Sequence, residues 1–223
     1  LTSDQLREMM NQRITQDGTS VSGEILELKI DNLNWEDLIG YYRMDNIECS
    51  SIYPYNNGSD VGFPGKLRNI TTPQQRSAPL PYESDATGDW HTRNSWDPNS
   101  TKYWTFPNDE GINGDPINWN IARQKHNLNS NNKDIKLLAL FSETGTELIM
   151  EGVNNNSGNE LRITRYLDLS GYIDLKGESQ LVQTEGSILD GTGSLERDQQ
   201  GTASSFNYNY WSSPVLPNNN STT

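Results

Sequence analysis

The chain has 223 residues, 32% of them hydrophobic, and a formal net charge of −13. So acidic a chain repels phosphate backbones and anionic lipid, which excludes nucleic acid and leaves divalent cations and neutral glycans as partners. Six Trp and ten Tyr argue for a folded chain despite a mean hydropathy of −0.82, and Cys49, the single cysteine, excludes an internal disulfide and a cysteine-based metal site. Cys49 reads as a small buried apolar residue. No run of about 20 apolar residues is present, so no membrane span is expected.

Residues 3–16 read as a short helix. Thr2-x-x-Gln5 fits a capping box, Leu6, Met9, Met10 and Ile14 share one face, and Gly18 is placed as the stop. Residues 23–30 (GEILELKI) alternate as a half-buried strand. A turn or short helix beginning near Trp35 should run into a further strand. Residues 49–134 hold eight of the ten prolines and four of the six tryptophans, so they read as short strands and tight turns stapled by buried aromatics. From Asp134 the pattern sharpens into strands: Ile135 to Phe141, then Glu147 to Met150. A last strand with one aromatic face is expected at Phe206, Tyr208 and Tyr210.

Between them, Leu161 to Gln200 carries recurring apolar pairs, each followed by glycine. Leu167 and Leu169 precede Gly171, Ile173 and Leu175 precede Gly177, Leu181 and Val182 precede Gly186, and Ile188 and Leu189 precede Gly191. Strands this short bury a core only when stacked as rungs, which predicts a β-solenoid-like stack. Side chains alternate along a strand, so Leu169 and Leu175 should face inward and Asp168 and Asp174 outward.

The run YLDLSGYIDLKGESQLVQTEGS, then GSLERDQQGT and YNYWSSPV, resembles an internal segment of very large secreted, multidomain proteins of the Bacteroidota. LIGYYRM, GKLRNITT, APLPYES and WNIARQKHN fit the same pattern, so the resemblance covers most of the chain. LTSDQLREMMNQRI resembles the helix and exit segment that trails a laminin-G/concanavalin-like module in such proteins. The resemblance implies a linking or adhesive module, secreted or on the cell surface after export by the type IX system. Its implied partners are other domains of the same long chain, the type IX translocon during export, and surface polysaccharide. It implies no catalytic residue. The opening inside a helical pattern and the polar run 218–223 read as the ends of an excised piece, with any signal peptide upstream.

Candidate sites follow from residue type. Trp90, Trp96, Tyr103 and Trp104 could stack on sugar rings, or could staple loops. The oxygen-rich loop around Asp109, Asn113 and Asp115 offers calcium ligands but lacks the EF-hand order, and also reads as a plain turn. His91 and His126 have no metal-ligand partner at a known spacing and read as loop hydrogen-bonders. Asp168, Asp174, Glu178 and Glu185 read as a solvated acidic face. Arg162, Arg165, Lys176 and Arg197 form no basic cluster of the kind a β-helix lyase uses.

The expected fold is mainly β, with a short N-terminal helix, a loop-rich, aromatic-stapled middle, and a solenoid-like C-terminal part. The expected segments are 1–22, 23–134 and 135–223, the last two continuous. The expected function is that of a noncatalytic structural or adhesive module, with no cofactor other than calcium. The alternatives are a carbohydrate-binding module and a polysaccharide-degrading β-helix enzyme.

Overall fold

A computed structural model describes residues 1–42, 51–52, 65–66, 81–111, 113–153, 156–198 and 201. The chain divides into two compact units, 1–81 and 82–223. Residues 14–34 share one sheet, and 82–83 and 121–124 join the sheet of 135–142. The expected aromatic strand at 206–211 and Cys49 lie outside the described residues.

In the first unit, α1 spans Ser3–Met10. The capping box forms as its spacing predicts. The Gln5 amide donates to Thr2 Oγ1 at 3.2 Å, and the Thr2 amide donates to Gln5 Oε1 at 2.7 Å. The helix is shorter than 3–16, because the chain turns at Asn11 into a hairpin of β1 (Ile14–Asp17) and β2 (Ser20–Gly23). Asp17 pairs with Ser20, so Gly18, at φ +63°, sits in the hairpin tip and not at a helix end. The two-residue tip is Gly18-Thr19, and glycine at its first position suits a tight hairpin turn, while β-branched Ile14 and Thr15 favour a strand. Consequently Ile14 enters the core while Leu6 and Met10 stay exposed.

β3 (Lys29–Asn34) completes this antiparallel sheet. Leu26 and Ile30 are buried and Glu27 and Lys29 exposed, so the predicted alternation is present. The strand itself begins only at Lys29. Before it, the side-chain Oε1 of buried Gln12 accepts from the Ile25 and Leu26 amides at 3.1 and 2.8 Å, in place of a neighbouring strand. Trp35 opens a 3-10 turn, Trp35–Asp37, and packs with Ile14, Val21, Ile30 and Leu33. Residues 38–42 form no strand. β4 (Ser51–Ile52) and β5 (Gly65–Lys66) form an antiparallel pair.

The second unit contains β6 (Tyr82–Glu83), β7 (Gly88–Asp89), the short helix α2 (Arg93–Trp96), β8 (Ile121–Gln124), β9 (Leu128–Asn129), β10 (Ile135–Ser142) and β11 (Glu147–Met150). β12 (Glu160–Leu169), β13 (Tyr172–Leu175), β14 (Gln180–Gln183), β15 (Ile188–Asp190) and β16 (Ser194–Arg197) follow. One sheet runs β14-β12-β10-β8-β6, with β15 also on β12; the other runs β16-β13-β11-β9-β7. All these pairings are parallel. The unit is therefore a β-solenoid-like stack, and it begins at Tyr82, well before the periodic stretch.

The stack exists because apolar positions repeat in register. Ala122, Leu140, Leu167 and Leu189 form one inward column; Leu128, Leu148, Ile173 and Leu195 form a second; Ile135, Leu161 and Leu181 form a third. Each contributes to one continuous core. Burying one such aliphatic side chain stabilises by about 1.5–3 kcal/mol. Leu169 and Leu175 face inward as predicted, at 7% and 1% exposure. Leu175→Ala should therefore cost about 2–5 kcal/mol, whereas Asp168→Asn, on the outer face, should leave the melting temperature almost unchanged. A thermal scan of both variants checks the register: tolerance at Leu175 with sensitivity at Asp168 would reverse it.

One corner of the stack widens from rung to rung. Leu137 and Ala139 enclose one residue, and their partners Ile163 and Tyr166 on β12 enclose two, which makes a bulge. On the next rung Gln183 and Ile188 enclose four, and the single strand β12 is replaced by two, β14 and β15. Hydroxyls carry the ladder across this corner: Thr164 donates to the Leu137 carbonyl at 3.2 Å, and Thr184 to the Thr164 carbonyl at 2.7 Å.

Candidate functional site

The aromatic candidates lie in the long excursion between β7 and β8. Trp90 and Trp96 are fully buried and Tyr103 is 6% exposed. Trp90 meets Trp96 edge to face at 4.7 Å between ring centres, and Tyr103 packs on Tyr82 at 4.8 Å. Their polar ends are used internally. Trp90 Nε1 donates to the Pro107 carbonyl at 3.1 Å and Trp96 Nε1 to the Trp90 carbonyl at 2.8 Å, while the Tyr103 hydroxyl accepts from the Glu83 amide at 2.8 Å. These three rings staple the excursion to the core and have no face left for a sugar. Trp104 is the opposite case, at 92% exposure.

Asp97 anchors the same excursion. Its carboxylate, in a residue 1% exposed, accepts from the Lys102 and Tyr103 amides at 2.7 and 3.0 Å, with Arg93 at 3.5 Å. Burial alone would raise its pKa. The amides of Tyr103, Thr101 and Lys102 and the Arg93 guanidinium outweigh burial and hold it down at about 2.

In the calcium candidate loop, Asp109 turns both oxygens onto its own surroundings. It accepts from the Thr105 hydroxyl and, at 2.8 Å, from the Glu110 amide. Asn113 and Asp115 are exposed, and the Asp115 carbonyl closes the turn by accepting from the Gly111 amide at 2.8 Å. Both histidines serve loops. His91 Nε2 lies 3.1 Å from the Asp134 carbonyl, and burial lowers its pKa; His126 Nδ1 lies 3.0 Å from the Ser84 carbonyl. Arg162 pairs with Glu160 at 2.5 Å and Lys176 with Asp174 at 3.4 Å, each along its own strand.

A feature that residue spacing does not disclose lies on the outer face of the larger sheet. Glu83, Arg123, Phe141, Asp168 and Asp190 occupy one column, each in register with the next. Neighbouring parallel strands lie about 4.8 Å apart, so the stack brings together residues 18 to 40 positions apart in sequence. Around Arg123, Phe141 and Asp168, with Glu143, Thr144 and Ser170 from the following turns, opens a cleft of about 370 Å³.

The Arg123 guanidinium rests 5.0 Å from the Phe141 ring centre and contacts Glu83 and Glu143 only at 3.7 Å; its Nε makes no hydrogen bond. Tyr166 lies beside Phe141 at 5.5 Å between ring centres. Asp168 accepts from the Ser170 hydroxyl at 2.7 Å through Oδ1. Burial, followed by the nearby Asp190 and Asp168 carboxylates, raises the Tyr166 pKa. The cleft thus combines an aromatic floor, one cation, two carboxylates and hydroxyls. Rungs aligned by their inward leucines would have shown this column in the sequence.

Among the described residues no helix is long and apolar enough to cross a membrane, and no three His, Cys, Asp or Glu side chains gather as a metal-ligand set. No family model matches the chain, and neither a curated protein nor a solved structure matches it.

Proposed function

We propose that the chain is a noncatalytic structural module of a large secreted or cell-surface protein, exported by the type IX system, in which residues 82–198 act as an adhesive spacer. The observation that supports this reading is the unbroken run of inward aliphatic columns through the rungs. In such a stack each rung contacts only its neighbours, so length is gained by repetition and rigidity by a shared core. The resemblance of GESQLVQ, LERDQQG and YNYWSSPV to exported surface proteins supplies the setting.

Immunolabelling of intact cells that make the parent protein tests the reading. The epitope should be on the surface and should become periplasmic when the type IX translocon is deleted; surface labelling that survives the deletion would overturn the export route. Incubating the purified chain with neutral and acidic polysaccharides should release no new reducing ends and no unsaturated products. Release that is abolished in Glu143→Gln/Asp168→Asn would replace the structural reading with the β-helix enzyme. Carbohydrate binding through Trp104 is a second reading, favoured by that ring's exposure; a glycan-array signal lost in Trp104→Ala would support it.

A further inference from the structure

We infer that the outer-face cleft built on Arg123, Phe141 and Asp168 is a binding site for a neutral sugar unit of a glycan chain. This goes beyond the spacer reading and does not depend on it.

The lining selects the ligand class. Phe141 lies outward on β10 and is half-buried, and Tyr166 beside it extends the aromatic surface. A sugar ring would present its apolar C–H face to the part of this surface that the Arg123 guanidinium, 5.0 Å from the Phe141 ring centre, leaves uncovered. The polar groups around the ring keep unspent hydrogen-bonding capacity. The Arg123 guanidinium meets its carboxylate neighbours Glu83 and Glu143 only at 3.7 Å, beyond hydrogen-bond range. Asp168 uses Oδ1 for Ser170, and Thr144 is exposed at the rim. Carboxylates only accept and guanidinium only donates, so the matching ligand does both, as a sugar hydroxyl does.

Charge decides between sugar types. Two carboxylates face one guanidinium in the cleft, Glu83 and Asp190 flank it in the same column, and the chain carries −13 overall. A uronate or a sulfated sugar would be repelled; a neutral hexose or pentose would not. The volume, about 370 Å³, lies at the small end of the roughly 300–1,000 Å³ range of small-molecule sites. It admits a short stretch of a chain, not a buried oligosaccharide.

The register adds a second argument. Residues on successive rungs of one face form a straight row, so a linear chain lying across β8, β10, β12 and β15 would meet Arg123, Phe141, Asp168 and Asp190 in turn. That geometry suits a polymer better than a free monosaccharide.

The test is calorimetric titration of the full chain with maltohexaose, cellohexaose, mannohexaose, xylohexaose and tri-galacturonate. At least one neutral hexaose should bind, and tri-galacturonate should not. Phe141→Ala and Asp168→Asn should each weaken that binding at least tenfold, and Trp104→Ala should leave it unchanged. Asp168→Asn keeps the side-chain shape and should keep the wild-type melting temperature, so its loss of binding would not be a folding defect. Silence from all four neutral hexaoses, binding of tri-galacturonate alone, or binding abolished by Trp104→Ala but untouched by Phe141→Ala and Asp168→Asn would each overturn the site. None of these outcomes bears on surface export, so the site and the spacer reading fail separately.

Discussion

Gly158→Ala should lower the melting temperature of the second unit by roughly 10 °C, the effect of losing about 3 kcal/mol. Gly158 precedes β12 at a corner where the chain passes directly over the next rung. A Cβ there would overlap the backbone of Glu178 and Ser179. Backbone does not yield as a side-chain tip does, so the rungs would have to part locally, breaking the hydrogen bond from the Gln180 amide to the Asn159 carbonyl, at 3.0 Å, that opens the β12–β14 ladder. Gly186→Ala is the comparison. Gly186 has φ +79° but nothing within 4 Å of a built Cβ, so alanine there meets backbone strain without a clash and should cost about 1 kcal/mol. Differential scanning calorimetry of the two variants separates the effects; an equal or larger loss at Gly186 would show that rung contact at Gly158 is not limiting.

Asp97→Asn should cost about 2 kcal/mol at neutral pH, because the buried carboxylate accepts charge-assisted hydrogen bonds from the Lys102 and Tyr103 amides. The pH dependence has a fixed sign. The folded pKa, about 2, lies below the ordinary value of 3.8, so the carboxylate's stabilisation is complete above pH 4 and is lost as pH falls towards 2. The stability gap between wild type and Asp97→Asn should therefore close over that interval. Denaturant titrations at pH 7, 4 and 2 measure it, and comparing the two proteins cancels the other acidic groups. A gap that stays constant down to pH 2 would mean that the carboxylate's charge contributes nothing and only its shape matters.

Local signals were legible where local physics decides the outcome. Thr2 and Gln5 specify a cap across three residues, and it forms. The leucines of YLDLSGYIDL specify a face through strict alternation, and they point inward. The helical reading of 11–16 failed because Ile14 fits a helical stripe and a strand equally well, and Gly18, opening the two-residue tip Gly18-Thr19, decides for the hairpin. The stapling role of Trp90 and Trp96 was open to either reading, since an aromatic in a Pro-rich loop carries no mark of which way it faces. The Arg123–Phe141–Asp168 column could not be seen at all by spacing rules. Its members share no local pattern; they meet only through the register of the stack, which the inward aliphatic columns set. The buried polar residues Gln124 and Ser142 belong to the same class. Ser142 donates to Gln124 Oε1 at 3.3 Å across two rungs, and Gln124 Nε2 donates to the His126 carbonyl at 3.0 Å and the Glu147 carbonyl at 2.6 Å.

The widening corner near residues 138, 164–165 and 184–187 has a meaning beyond geometry. Three successive rungs accept one, two and four residues at the same place while the columns on either side stay in register. Chain growth at this corner leaves the flanking strand pairings in place. The last of these segments, Thr184-Glu185-Gly186-Ser187, is a turn closed by a 3.0 Å bond from the Ser187 amide to the Thr184 carbonyl. A corner of this kind is where a stacked module acquires a longer loop, a tag or a new recognition segment with the least disturbance to its neighbours.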